Sequence, residues 1–304
     1  MRRAAAIGVL VGALVASFAV STDAFGAGHL FERAVARIDR FIAGPVPDRP
    51  TDGTVRVTPA PLTTAPTVED SPSSRSPDAA DPSSTAAPSP TPTPTPSRVP
   101  VDFDIATDPE SFFAHELKDT WCSPAGVQIT LAFLGLADTS DAFQQELQDR
   151  VHEWESYGDS HNGKWGPSAM ALALEAYGAP GYEVRGYERR EDALRDSAVA
   201  IESTGSPVIL LAWRGAHTWV MTGFRADADP ALFRDAKVEG AYVLDPWYPW
   251  VSSIWGPSDP PGTFQDEAEM VRNYLRWKRP EGRYPERDGL FIAVVPTQPV
   301  DRIN

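Results

Sequence analysis

The sequence predicts an α+β fold confined to its C-terminal two-thirds, and three observations carry that expectation. Half of the 30 prolines lie between Pro45 and Pro100, whereas all nine tryptophans and all eight tyrosines follow residue 120. Large rings supply most of the buried area per residue, so the only sizeable core belongs to the later part of the chain, which is long enough to bury one without staples. Within that part helical periodicities come first and strand-like runs second, an α+β layout rather than alternating βαβ units.

The N-terminus reads as an export signal. Met1-Arg2-Arg3 precedes a run from Ala4 to Val20 without charge or proline, which suits a signal peptide or signal-anchor over residues 1–28. The run is short for a spanning helix and long for a signal core. Ser21, Ala24 and Gly26 offer small-residue cleavage sites. The tether is favoured because residues 29–44 predict an amphipathic juxtamembrane helix, with Leu30, Ala34, Ile38 and Phe41 on one stripe and Arg33, Arg37 and Arg40 beside it. The leading arginines are expected to stay cytoplasmic and the remainder to be exported, as an anchored or a secreted protein. Residues 45–104 read as a disordered Pro/Thr/Ser-rich linker, since such a composition buries too little apolar surface to offset ordering. It is expected to act as a spacer, through a cell wall or away from a membrane.

The folded domain is expected over residues 105–304. Cys122 to Leu136 predicts a largely buried helix, with Ser123 as its cap, Pro124 in the first turn and Gly135 near the end. Asp141–Trp154, Pro167–Tyr177 and Arg190–Glu202 predict three more. Pro207–Trp213 and His217–Phe224 read as strands joined by the turn Arg214-Gly215-Ala216, and Ala241–Asp245 as a third strand reached through a polar insert, Arg225–Glu239. A Trp/Pro-rich loop (247–262), a helix from Thr263 to Trp277 and a strand Leu290–Val295 complete the domain.

Residues 1–100 balance nine basic against nine acidic side chains, whereas residues 101–304 carry 18 against 33, so the net charge of −15 belongs to the domain. That argues against nucleic acid or anionic lipid as a partner of the domain, since both require a basic face. One cysteine excludes an intramolecular disulfide and a multi-thiolate metal site. No nucleotide, phosphate-loop or metal pattern is present, so no cofactor is expected.

The lone thiol of an exported protein needs an account. Cys122 stands at the predicted start of a helix, where free N–H groups and the positive dipole end favour a thiolate; a small buried hydrophobe is the bland alternative. A thiolate nucleophile also needs a base. His115 lies in a charged stretch and reads as solvated. His152 begins His-Glu-Trp-Glu-Ser, which lacks the second histidine of a zinc helix. His161 sits in a polar loop. His217 instead opens a strongly apolar strand after a glycine turn, which puts its ring at a sheet end. Asp245 closes the neighbouring strand, where it can orient the imidazole or simply make an Asp-Pro turn.

Trp121-Cys122-Ser123-Pro124-Ala125, then Gly215-Ala216-His217-Thr-Trp-Val-Met-Thr-Gly223, then Tyr242-Val-Leu-Asp245-Pro246 resemble the C39-like branch of the papain-like cysteine peptidases, relatives of the bacteriocin-leader peptidases. The resemblance spans about residues 105–296. It implies a papain-like fold, with a helical lobe carrying the cysteine packed on an antiparallel sheet carrying histidine and aspartate. It further implies Cys122 as nucleophile, His217 as general base and acid, and Asp245 as orienter in peptide hydrolysis through a thioester.

One residue departs from the family pattern. The family places a glutamine, donating to the oxyanion, where this chain has Glu116. An ionised glutamate cannot donate, and losing one such donor costs about 10²–10³ in rate. Glu116 could be protonated, Lys118 or the Trp121 indole could donate instead, or the domain could be an inactive binding module. Trp121, Trp165, Trp219 and Trp247 are candidate cleft walls, although aromatics in such loops more often cover the core. A weaker resemblance, to peptidoglycan endopeptidases of the NlpC/P60 type, fits export and Cys-Ser; in this chain, however, proline replaces that family's glycine and the histidine lies much further from the cysteine.

Overall fold

The computed structural model describes residues 54–58, 97–160, 163–278 and 284–301. The expected signal segment, the juxtamembrane helix, the middle of the linker and His161 lie outside the described residues. Among the described residues no helix is long and apolar enough to cross a membrane.

The domain is built on an eight-stranded sheet. Its strands are β1 (Val55–Val57), β2 (Val101–Asp104), β3 (Tyr182–Tyr187), β4 (Val208–Ala212), β5 (His217–Ala226), β6 (Val238–Leu244), β9 (Thr263–Asp266) and β10 (Phe291–Pro296). The order is β1-β3-β10-β4-β5-β6-β9, and β2 pairs with the far end of β5. Pairing is antiparallel except for β1 against β3. A two-stranded ribbon, β7 (Val251–Ser252) with β8 (Gly256–Pro257), projects from the loop after β6.

The sheet is covered on both faces, which is why β4 and β10 read as unbroken apolar runs rather than alternating ones. Ile209, Leu211, Ile292 and Val294 join one core with the helices α1 (Cys122–Phe133), α2 (Asp141–Asp149) and α3 (Pro167–Ala176). Leu210, Ala293 and Val295 join a second core with α4 (Arg190–Thr204) and α5 (Glu267–Asn273). The α+β class and the helical lobe over the antiparallel sheet are as expected; the second covered face is an addition.

Several boundaries change. The linker expected over 45–104 contributes strands at two places. Val55–Val57 lies along β3, and Val101–Asp104 pairs with Gly223–Ala226, so the domain begins before residue 105. Both are short, β-branched or alternating stretches inside proline-rich sequence. β3 went unread because Tyr182–Tyr187 mixes charge and glycine into its apolar alternation. The helix expected from Thr263 is first a strand: Thr263–Asp266 adds to the edge of β6, and Asp266 then caps a much shorter helix by accepting from the Glu269 amide. The polar insert is shorter than expected, because β5 and β6 extend into it.

Candidate active site

α1 begins at Cys122, and its N-cap is Trp121 without a side-chain bond, so Ser123 is a first-turn residue and not the cap. The amides of Cys122 and Ser123 precede the helical ladder and have no carbonyl four residues back within α1. One turn further on, Gly126 lets the helix rest directly on β5: a Cβ there would fall inside contact distance of the Thr218 methyl. The cysteine is thereby set beside the start of β5, with its Sγ 3.9 Å from the Ala216 carbonyl.

His217 is held by a turn that most sequences avoid. Trp213, Arg214 and Gly215 have consecutive positive φ values of 51°, 64° and 83°, a left-handed hairpin that matches strand twist but costs non-glycine residues about 1–3 kcal/mol each. The Trp213 ring explains the arrangement, since it stacks 4.0 Å from the His217 ring at 18° and its Nε1 donates to Asn273 Oδ1 at 3.1 Å. Trp247 meets the same imidazole edge-on at 6.2 Å.

β6 delivers Asp245 one residue beyond Leu244, which pairs with Val220. Asp245 Oδ1 lies 2.6 Å from His217 Nε2 and accepts the Trp247 amide at 2.9 Å. The His217 ring therefore keeps Nδ1 for the cysteine side.

Glu116 completes the cluster from a strap that packs across the site. Its amide donates to the Pro246 carbonyl at 2.9 Å. The buried Gln144 of α2 clamps its neighbours, accepting from the Leu117 amide at 2.8 Å and donating to the His115 carbonyl at 2.9 Å. Gln144 also donates to Gln128 of α1 at 2.9 Å, so the strap and the cysteine helix share one polar network. The carboxyl of Glu116 is fully buried, and neither oxygen meets a hydrogen-bond partner among the described residues. The ligating atoms of Glu116, Cys122 and His217 all lie within 4.8 Å of one another.

Burial pushes the Cys122 thiol up, but the hydrogen bond and charge of His217 more than offset it, and the thiol ends below its ordinary value. Burial works against a charged His217; Asp245, by charge and hydrogen bond, and Cys122 overcome that and push the imidazole up to about 10. Glu116 is pushed up to about 9, chiefly by burial and then by the negative charge of Cys122, with His217 opposing. The arrangement therefore favours an imidazolium and a neutral glutamic acid at neutral pH, and it shifts the thiol toward its thiolate. A thiol, an imidazole and a carboxyl group are within reach of one another, the kinds of group that acyl transfer uses.

Residues 105–279 match the peptidase C39-like family. The chain belongs to that family. No curated protein matches it. Among solved structures, a double glycine motif protease from an AMS/PCAT transporter, in complex with the leader peptide, is 19% identical; the match covers 60% of this chain and 89% of that one, with a TM-score of 0.31. Of the two peptidase resemblances in the sequence, the family match falls on the C39-like side.

The remaining expectations divide. The structure brings Cys122, His217 and Asp245 together. A cleft of about 570 Å³ opens beside Cys122 and His217. Trp165 borders it, whereas Trp121, Trp219 and Trp247 do not: Trp121 lies under the Lys118 ammonium, Trp219 is part of the second core, and Trp247 packs on His217 and Trp213. Lys118 is exposed, with its ammonium 4.4 Å above the Trp121 ring. His115 is not simply solvated; its Nδ1 bonds the Tyr248 carbonyl at 2.9 Å and its ring meets Trp250. Trp277 and Tyr284 also line the cleft, and they went unread because they come from the far end of the chain with no motif around them.

Proposed function

We propose that this chain is an exported, membrane-tethered cysteine peptidase that hydrolyses a peptide or related amide bond with Cys122, His217 and Asp245. The observation that carries the proposal is the buried relay: a thiol within 4.8 Å of the His217 ring, whose far nitrogen is 2.6 Å from Asp245. The Cys122 thiolate attacks the carbonyl carbon and drives the C=O pair onto oxygen. His217, as imidazolium, gives its proton to the leaving nitrogen as the C–N bond breaks, leaving a thioester on Cys122. Water then attacks the thioester carbonyl while His217 takes its proton, and the C–S bond breaks to release the acid and restore the ion pair. Asp245 holds the ring in the orientation that serves both steps. Export and tethering rest on the charged start and apolar run of residues 1–28.

Iodoacetamide at pH 6 is expected to label Cys122 in the native protein faster than a model thiol. Cys122→Ala is expected to abolish cleavage of a peptide library. A thiol that reacts only after denaturation would reject the enzyme. Cleavage of a muropeptide digest but not of peptides would move the substrate to the cell wall. N-terminal sequencing of the mature protein separates an uncleaved tether from a cleaved signal.

A further inference from the structure

We infer that Glu116 works as a neutral carboxylic acid that donates its proton in a hydrogen bond to the oxyanion formed during attack by Cys122. The inference deepens the peptidase reading and rests on it. Four titratable side chains meet in this cluster, and they cannot all be charged. His217 is the cation; Cys122, Asp245 and Glu116 are three potential anions, with Asp119 adding negative charge from the strap. Asp245 is the best supported anion, since its Oδ1 contacts the His217 ring and accepts the Trp247 amide. Cys122 has His217, and Thr218 and Ser123 also favour its thiolate. Glu116 has neither an N–H donor nor a cation bonded to its carboxyl among the described residues. Like charges this close, away from water, do not both ionise, so the proton belongs on Glu116; its rise to about 9 agrees with that placement.

A buried donor without a partner costs about 1–3 kcal/mol, and the fold holds this one in place. One backbone bond to Pro246 and two bonds with the Gln144 side chain fix the peptide on both sides of Glu116. The carboxyl lies within 4.8 Å of the Cys122 thiol and the His217 ring. A carboxylic acid kept neutral by an apolar site is a competent oxyanion donor. The chemistry conserves the proton: Glu116 shares it with the oxyanion in the tetrahedral intermediate and keeps it when the carbonyl reforms.

The test is the pH dependence of kcat/KM for the full chain, compared with Glu116→Gln and Glu116→Ala. Turnover that Cys122→Ala abolishes establishes the peptidase; its absence would overturn that reading and this one together. With turnover established, the wild type is expected to lose activity above about pH 9. Glu116→Gln, which donates at every pH, is expected to stay within a few-fold of wild type at pH 7. It should also hold its rate until His217 deprotonates near 10. Glu116→Ala is expected to lose about 10²–10³ in kcat with little change in KM. If that variant does not fold, infrared difference spectra of wild type against Glu116→Gln read the same proton directly, as a neutral-acid carbonyl band that disappears as Glu116 ionises. Superimposable profiles for wild type and Glu116→Gln, a tenfold gain in neutral-pH turnover by Glu116→Gln, or a carboxylate band at pH 7 would each overturn the role of Glu116 alone.

Discussion

Gly126→Ala offers the sharpest test of how the fold brings thiol and imidazole together. The added Cβ would lie about 1 Å inside the ~3.5 Å at which two carbons pack, and the atom it meets is Cγ2 of Thr218, next to His217. α1 is buried over most of its length and cannot absorb the clash at its surface, so helix and strand must separate. Overpacking of this kind costs about 1–3 kcal/mol, and a displacement near 1 Å between reacting groups costs about 10² in rate. The expected result is a modest loss in the denaturation midpoint with a far larger loss of kcat/KM and a slowed alkylation of Cys122. Thr218→Ser removes the one methyl that obstructs and keeps the hydroxyl that lies 3.5 Å from Ser123 Oγ. The double variant Gly126→Ala/Thr218→Ser is therefore expected to regain most of both quantities. A Gly126→Ala protein with wild-type rate, or a double variant no better than the single, would refute the claim that this contact sets the Cys122–His217 distance.

Asp245→Ala is expected to lower kcat/KM by about 10²–10⁴, since the ring loses its orienter, and to return the His217 pKa toward lower values, read as a fall in thiolate reactivity with iodoacetamide across neutral pH. Stability should also follow pH in a defined sense. Glu116 and His217 both have folded pKa values above their unfolded ones, so the fold holds extra protons; their contributions are fullest below about 4.5 and 6.5 and are lost as pH rises toward about 9 and 10. Glu116→Gln should consequently be indistinguishable from wild type in melting temperature near pH 4 and more stable at pH 8, by about 2–4 °C for each kcal/mol; a gap that narrows as pH rises would contradict it. Arg287→Met is expected to cost about 3–5 kcal/mol in urea denaturation, because Arg287 is buried against Asp159, whose carboxyl also accepts the Ser168 and Ala169 amides at the start of α3; a loss below about 1 kcal/mol would show that those amides suffice for Asp159.

The three relay residues were legible because each stands at an element boundary that leaves a local mark: Pro124 just inside α1, the glycine turn before β5, and Pro246 after β6. Boundaries of that kind are set by backbone constraints acting over a few residues, so a single sequence records them. What surrounds the relay is recorded much less well. The Gln144 clamp, the Trp213 stack and the Trp277 cleft wall join residues far apart in the chain, and nothing in their own neighbourhoods distinguishes them from ordinary polar or core positions. Glu116 is the extreme case. Its residue type reads as a surface anion, and only the closing of the strap by Pro246 and Gln144 turns it into a buried carboxyl within 4.8 Å of the Cys122 thiol. The sign of its effect on the reaction reverses with one proton: ionised, it would oppose the charge that develops on the attacked carbonyl; neutral, it can stabilise it. On the proposed reading, a substitution that looks like a loss of function in the linear chain is a chemically competent replacement whose working range is bounded by pH.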